Sequence, residues 1–218
     1  MSDEQEILSH HPSPITHRSS DRAQLRRTMR AQRNAVAAPA RRIVARAVAR
    51  HISHAQLLHK GQRIAVYAAF DGEIDLTPLV RIAKRAQCVL YAPRIVNMRA
   101  RKMEFVELSS QIRASGVHSH QKSIREPRTH LQRRINPRLL DVVFVPVVAF
   151  DMHGWRLGFG AGFYDRKFQF LRRSFKKKPL LIGVAYEFQC VQQQKSQPWD
   201  IFLDAVVTEN GLHRCYTR

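Results

Sequence analysis

The feature that most limits what this chain can fold into is a short apolar run followed by an alternating-glycine segment. Val142-Val-Phe-Val-Pro-Val-Val148 has the pattern of a buried strand. Gly154-Trp-Arg-Leu-Gly-Phe-Gly-Ala-Gly-Phe-Tyr-Asp-Arg166 comes next, and Phe163, Phe168, Phe170, Leu171 and Phe175 then fit a helix loosely. The order is strand, glycine loop, helix. Gly158, Gly160 and Gly162 alternate, and glycine tolerates positive φ while letting N–H groups approach a ligand with no Cβ between them. A helix opening after such a loop aims its unpaired N–H groups and its positive dipole end at the loop, a way of holding phosphate. Arg156 and Arg166 flank the loop with charge, and Asp165 adds a carboxylate of the kind that meets Mg²⁺. On spacing alone, a tight strand-to-helix turn is an equal reading.

The remaining segments read as an α/β frame. Residues 21–37 have the periodicity of an amphipathic helix, with Asp21 as N-cap. Leu25, Met29, Gln32 and Val36 form one stripe; Arg22, Arg26, Arg30 and Arg33 form another, which reads as a solvated basic face. A second helix is expected over 40–58, with Ile43, Ala47, Val48, Ile52 and Ala55 at helical spacing. Residues 61–67 read as a strand, 68–75 as a turn-rich loop, Thr77-Pro78 as a helix start and Cys88–Tyr91 as a strand that Pro93 closes. Strand, helix, strand implies a parallel pair, whose carboxyl-end loops are where such sheets place ligands. Met103–Leu108 alternates as a further or edge strand, 109–138 read as loops, and 180–185 and 205–208 as strands. The expected fold class is α/β: a single three-layer domain over 21–218, a mostly parallel sheet flanked by helices, Rossmann-like, behind a disordered tail of residues 1–20.

Composition narrows the function classes. The 218 residues suffice for one domain with a sizeable core. Cys88, Cys190 and Cys215 are scattered, without disulfide or zinc spacing, which fits reduced thiols in a cytoplasm. No apolar run is long enough to span a membrane, and the N-terminus lacks an apolar signal region. The net charge of +20 attracts anions, but it is spread along the chain, so nucleic-acid binding is expected only as a non-specific electrostatic effect.

The full glycine string resembles the signature loop of the 5-formyltetrahydrofolate cyclo-ligase (methenyltetrahydrofolate synthetase) family, G-x-R-L-G-x-G-x-G-[FY]-Y-D-R. Every fixed position is met from Gly154 through Arg166. Arg22-Ala-Gln-Leu-Arg26 resembles the family's basic-x-x-Leu-Arg element that contacts ATP, with Arg22 where Lys is common. Tyr67–Asp75 resembles the element whose glutamate, here Glu73, accepts two parallel hydrogen bonds from the polar edge of the pterin; Ala68 matches a folate-touching position. Asp200, in Trp199–Thr208, matches the aspartate that joins Asp165 in binding Mg²⁺. Ser123-Ile-Arg-Glu-Pro127 resembles G-I-x-E-P but departs from it. The family tends to have an aromatic or glycine before the Ile, and this chain has Lys122 and Ser123. Stacking on the folate then falls to Phe70, Tyr91, Phe105 or Phe159.

The resemblance implies an ATP- and Mg²⁺-dependent conversion of 5-formyltetrahydrofolate, in mono- or polyglutamate form, to 5,10-methenyltetrahydrofolate with release of ADP and phosphate. ATP would be bound by Arg22, Arg26, Arg156, Leu157, Gly158, Phe159, Gly160, Ala161, Gly162, Phe163 and Tyr164. The folate would meet Ala68, Glu73, Phe159, Gly160, Ala161, Gly162 and Phe163. Mg²⁺ would be held by Asp165 and Asp200. Arg156 and Tyr164 are the catalytic candidates, and a monomer is expected. The competing readings are a basic nucleotide-binding α/β protein acting on nucleic acid, and an enzyme for a different formylated pterin.

Overall fold

The computed structural model describes residues 19–108, 133–173 and 178–216. Two helices open the chain, α1 (Ser19–Ala35) and α2 (Ala38–His54). Then come β1 (Arg63–Ala65), α3 (Thr77–Arg85), β2 (Val89–Asn97), β3 (Lys102–Glu107), β4 (Arg134–Ile135) and β5 (Val142–Pro146). A two-stranded ribbon follows, β6 (Ala149–Phe150) with β7 (Arg156–Leu157), then α4 (Phe163–Lys167), β8 (Leu180–Val184), β9 (Ala205–Val207) and β10 (Leu212–Arg214).

Eight strands form one sheet in the order β10-β9-β8-β5-β1-β2-β3-β4. The inner run β9-β8-β5-β1-β2 is parallel, while β10, β3 and β4 pair antiparallel at the edges. Alternation along the inner strands covers both faces. Ile64, Val142, Phe144, Ile182, Val184 and Val207 face α2 and α3. Ala65, Val143, Val145, Leu181 and Val206 face Phe150, Phe168, Ile201 and Leu203. A parallel sheet needs cover on both sides, and each fully buried Ile, Val or Phe stabilises by about 1.5–3 kcal/mol. The α/β expectation, a mostly parallel sheet between helical layers, therefore holds.

The strand order also positions the site. From β1 the chain moves to β2 on one side; it then returns to β5 on the other side and continues outward to β8 and β9. The carboxyl ends of β1 and β5 thus flank a topological switch point, where sheets of this kind leave a ligand crevice. Residues 66–75 leave β1 there, and the β6–β7 ribbon and glycine loop leave β5 there.

Several local expectations are corrected. The first helix begins at Ser19, so Asp21 lies within its first turn and is not the N-cap. In α2 the buried face is Ala45, Ala47, Val48, Ala49 and Ile52, while Ile43 is 68% exposed. Pro93 does not close β2, because β3 folds back and pairs across it, Pro93 opposite Phe105. The β6–β7 ribbon stands between β5 and the glycine loop. The helix expected over 163–175 is the five-residue α4, followed by a 3₁₀ turn at Gln169–Arg173. Phe168 separates the two by dropping fully into the core. The Lys122–Pro127 element lies outside the described residues. No helix of the described residues is long and apolar enough to cross a membrane.

Candidate functional site

The turn after β1 carries the first group. The Glu73 N–H donates to the Phe70 carbonyl at 3.0 Å, and the Phe70 N–H donates to Glu73 Oε2 at 3.1 Å. Glu73 is buried. Burial pushes its carboxyl up to about 7, against the opposing pull of the Arg33 guanidinium and the Phe70 N–H. Ala68, the other residue expected to touch folate on this segment, is also buried. Tyr67 packs beneath and donates to the Ile74 carbonyl at 3.1 Å.

Helix α1 is pinned to this turn. Met29, Arg33 and Val36 recur at helical spacing, so Arg33 stands on the apolar stripe and not on a solvated basic face. Its side chain is 1% exposed. Its Nε donates to the Asp71 carbonyl at 2.8 Å, its Nη2 to Asp71 Oδ2 at 2.9 Å, and its Nη1 to the Val147 carbonyl at 3.4 Å. Arg33 therefore spans the switch point, joining the chain that leaves β1 to the chain that leaves β5. Arg30 and Asn34 also donate to Asp71, at 2.7 and 3.0 Å. Burial opposes ionisation of Asp71, but these donors outweigh it and hold its carboxyl below the usual carboxylate value. The sequence signal for this burial is Arg33 itself, spaced four residues after Met29 and three before Val36.

The glycine loop lies under the same helix. Arg26 Nε donates to the Gly158 carbonyl at 2.9 Å. Gly160 and Gly162 have φ of +101° and +68°, values a side chain strains to adopt, whereas Gly158 does not. Phe159 lies against Phe70 with ring centroids 5.3 Å apart, and Arg30 and Arg33 sit over its ring at 5.2 and 5.3 Å. The Leu157 side chain is buried against Leu25 and Met29, which leaves the backbone as its route to a ligand. Ala161, Phe163 and Tyr164 are partly buried, and Phe163 and Tyr164 pack on the core. The Tyr164 ring stacks on Phe168, and its phenol, raised by burial and by the charge of Glu73, stays protonated. Arg166 lies in the last turn of α4 and is exposed.

Arg156 and the two aspartates form one linked unit. Arg156 Nη2 donates to Asp165 Oδ1 at 2.7 Å, its Nη1 donates to the Ile201 carbonyl, and the Ile201 N–H donates to Asp165 Oδ1 at 3.1 Å. Asp200, one residue before Ile201, accepts at Oδ2 from Arg22 at 3.1 Å and from the Gln197 N–H at 2.8 Å. Arg22 also lies over the Trp155 ring at 5.4 Å. Asp165 Oδ2 and Asp200 Oδ1 have no hydrogen-bond partner among the described residues, and hard carboxylate oxygens suit Mg²⁺. Arg156 is expected as a charge against phosphate, and two of its five N–H donors are used on Asp165 and Ile201.

The fold and this site define a doubly covered α/β protein with an arginine-braced glycine loop and two carboxylates at its switch point. Residues 18–209 match the model of the 5-formyltetrahydrofolate cyclo-ligase family. The 5-formyltetrahydrofolate cyclo-ligase of Escherichia coli strain K12 is 36% identical over 149 residues, 68% of this chain and 79% of its own. The solution structure of Aquifex aeolicus 5,10-methenyltetrahydrofolate synthetase superposes with a TM-score of 0.68 at 29% identity, covering 88% of this chain and 92% of that one. A Mycoplasma pneumoniae 5,10-methenyltetrahydrofolate synthetase shares the fold at a TM-score of 0.67 and 20% identity, over 87% and 99% of the two chains. The chain belongs to the 5-formyltetrahydrofolate cyclo-ligase family, a family of enzymes.

Proposed function

We propose that this enzyme converts 5-formyltetrahydrofolate and ATP to 5,10-methenyltetrahydrofolate, ADP and phosphate. The observation that carries the reading is the convergence at one switch point of a buried carboxylate, Glu73, with a glycine loop flanked by Asp165 and Asp200. The formyl oxygen attacks the γ-phosphorus of ATP and the bond to the β-phosphate oxygen breaks, releasing ADP. N10 then attacks the activated formyl carbon; phosphate leaves with the former formyl oxygen, N10 gives up its proton, and the ring closes. Phosphoryl transfer of this kind asks the protein for position and charge, and no protein nucleophile is needed.

Each residue then has a task. Glu73 accepts from the N–H edge of the pterin and fixes the folate. Gly158–Gly162 offer backbone N–H groups to the phosphates, and Arg22 and Arg26 add positive charge from α1. Tyr164 keeps its proton and donates a hydrogen bond to the formyl or phosphate oxygen. Arg156 orients Asp165 and Ile201, and so the carboxylate pair. Asp165 and Asp200 would hold Mg²⁺, which when bound neutralises charge on the phosphate oxygens.

We further propose that 21–218 act as one catalytic unit, as a cytoplasmic monomer, with nucleic acid bound only electrostatically; a dimer mass by light scattering would overturn the monomer. The direct test of the activity is the near-UV absorbance of the methenyl product. A rise requiring both ATP and Mg²⁺ is expected, and no rise with 5-formyltetrahydrofolate overturns the reading.

A further inference from the structure

The two halves of the crevice come from distant parts of the chain, the Glu73 turn after β1 and the glycine loop after β5, and Arg33 lies between them. Its Nε and Nη2 hold the Asp71 carbonyl and carboxylate at 2.8 and 2.9 Å, and its Nη1 holds the Val147 carbonyl, just past β5, at 3.4 Å. Its guanidinium lies 5.3 Å from the centre of the Phe159 ring in the loop. Asp71 does not depend on this arginine for a partner, because Arg30 and Asn34 also donate to it. A neutral link joins the same two halves. Tyr186 donates its hydroxyl to the Gly72 carbonyl at 3.2 Å, and Gln189 Nε2 donates to the Val147 carbonyl at 2.9 Å. What Arg33 adds is a flat fork whose N–H groups point in fixed directions, so it narrows the spacing and angle between the halves.

We infer that Arg33 is a positioning residue for the transfer step, holding the turn after β1 and the glycine loop in the register at which the formyl oxygen meets the γ-phosphorus. The inference rests on the proposed function. Each substrate can bind its own half of the crevice, but reaction needs the two reacting atoms about 3–3.5 Å apart and aligned. A shift of about 1 Å caused far from the chemistry can cost about 10²-fold in rate. The Arg33 side chain is 1% exposed, so it offers no surface to either substrate and acts through the turn and the loop.

The test compares the whole wild-type chain with Arg33→Met and Arg33→Lys. Methionine continues the apolar stripe of Met29 and Val36 and leaves Asp71 its bonds from Arg30 and Asn34. Lysine keeps the charge but has a single nitrogen and no fork. Calorimetry gives stoichiometry and Kd for 5-formyltetrahydrofolate alone and for MgATP alone, and a steady-state assay gives kcat at saturation. All are measured well above the Glu73 value of about 7, where its carboxyl is ionised. Both variants are expected to keep wild-type stoichiometry and each Kd within about threefold, while kcat falls about 10- to 100-fold. Lysine should not rescue kcat, and Arg33→Lys decides the matter if Arg33→Met does not fold. The stoichiometry separates alignment from folding, because a partly unfolded sample loses binding sites and kcat in equal proportion. The inference is overturned by a kcat within about twofold of wild type in a variant that folds, by lost binding sites that match the lost kcat, or by either Kd rising beyond about threefold. With an active wild type, those results sink only the role of Arg33. A wild type that neither binds nor converts 5-formyltetrahydrofolate sinks the proposed function and the inference together.

Discussion

The buried Arg33 and the half-buried Asp71 form an ion pair that ties α1 to the turn holding Glu73. The Nη2 of Arg33 donates to Asp71 Oδ2 at 2.9 Å, and the arginine side chain is 1% exposed. Its partner also takes Arg30 and Asn34. The same guanidinium covers the Phe159 ring. One side chain thus links α1, the turn after β1 and the glycine loop.

Removing one member of such a pair strands the other. Asp71→Ala is expected to lower the unfolding free energy by about 3–5 kcal/mol, because Arg33 is left charged and buried. Arg30→Ala, whose side chain is 44% exposed, should cost under about 1 kcal/mol. Urea denaturation of the two variants checks the contrast; equal losses would remove the buried pair from its structural role.

Gly72 sits where this turn meets α1. Its φ is +74°, and a Cβ there would lie 2.6 Å from Asn34 Oδ1 and 3.0 Å from the Arg33 carbonyl. Asn34 can rotate, at the expense of its bond to Asp71, but the backbone carbonyl cannot. Gly72→Ala should therefore lower the unfolding free energy by about 1–3 kcal/mol. A change under about 0.5 kcal/mol in the same urea experiment would mean that the turn relaxes freely.

The carboxylate unit predicts two different phenotypes. Asp200→Asn should lower turnover about 10²- to 10³-fold with little loss of fold, since its charged partner Arg22 is partly exposed. Arg156→Ala should lower turnover by a similar factor and also lower the melting temperature, because Asp165 loses its charged donor, keeping only the Ile201 N–H, and the buried Ile201 carbonyl loses its donor. Steady-state rates paired with thermal melts distinguish the two. An Arg156→Ala protein as stable as wild type would contradict its orienting role.

Glu73 makes stability and binding respond to pH in opposite directions. Its carboxyl is raised by burial from 4.5 to about 7. A raised acid contributes stability that is fully present below 4.5 and is lost as the pH climbs through about 7, roughly 3 kcal/mol in all. Glu73→Gln should flatten the pH dependence of unfolding between those values. In the proposed role Glu73 binds folate as the ionised acceptor, so kcat/KM for folate should fall as the pH drops through about 7. A pH-independent kcat/KM between 5.5 and 8, judged against that ordinary window for tuned carboxyls, would remove Glu73 from recognition.

Much of the frame was readable because local pattern reports local structure. The apolar runs at 142–148, 180–185 and 205–208 became parallel strands, since a run buried on both faces has few other places to go. The loop glycines and the carboxylates Asp165 and Asp200 stood out by residue type. The periodicity after the loop suggests a longer helix than forms: Phe168 fits it, yet Phe168 drops into the core beside Phe105, and α4 ends after five residues.

Spacing along the chain determined which segments are strands, which loop is rich in glycine and which acids stand near it, because backbone geometry and side-chain period act over a few residues. Tertiary structure alone decided that Arg33 is buried, that Arg156 braces Asp165 and Ile201, and that Phe70 is half-exposed while Tyr91 and Phe105 are buried. Those outcomes depend on partners such as Val147, 114 positions from Arg33. The strand order brings such partners together, and burial then sets what each charge or ring is free to do.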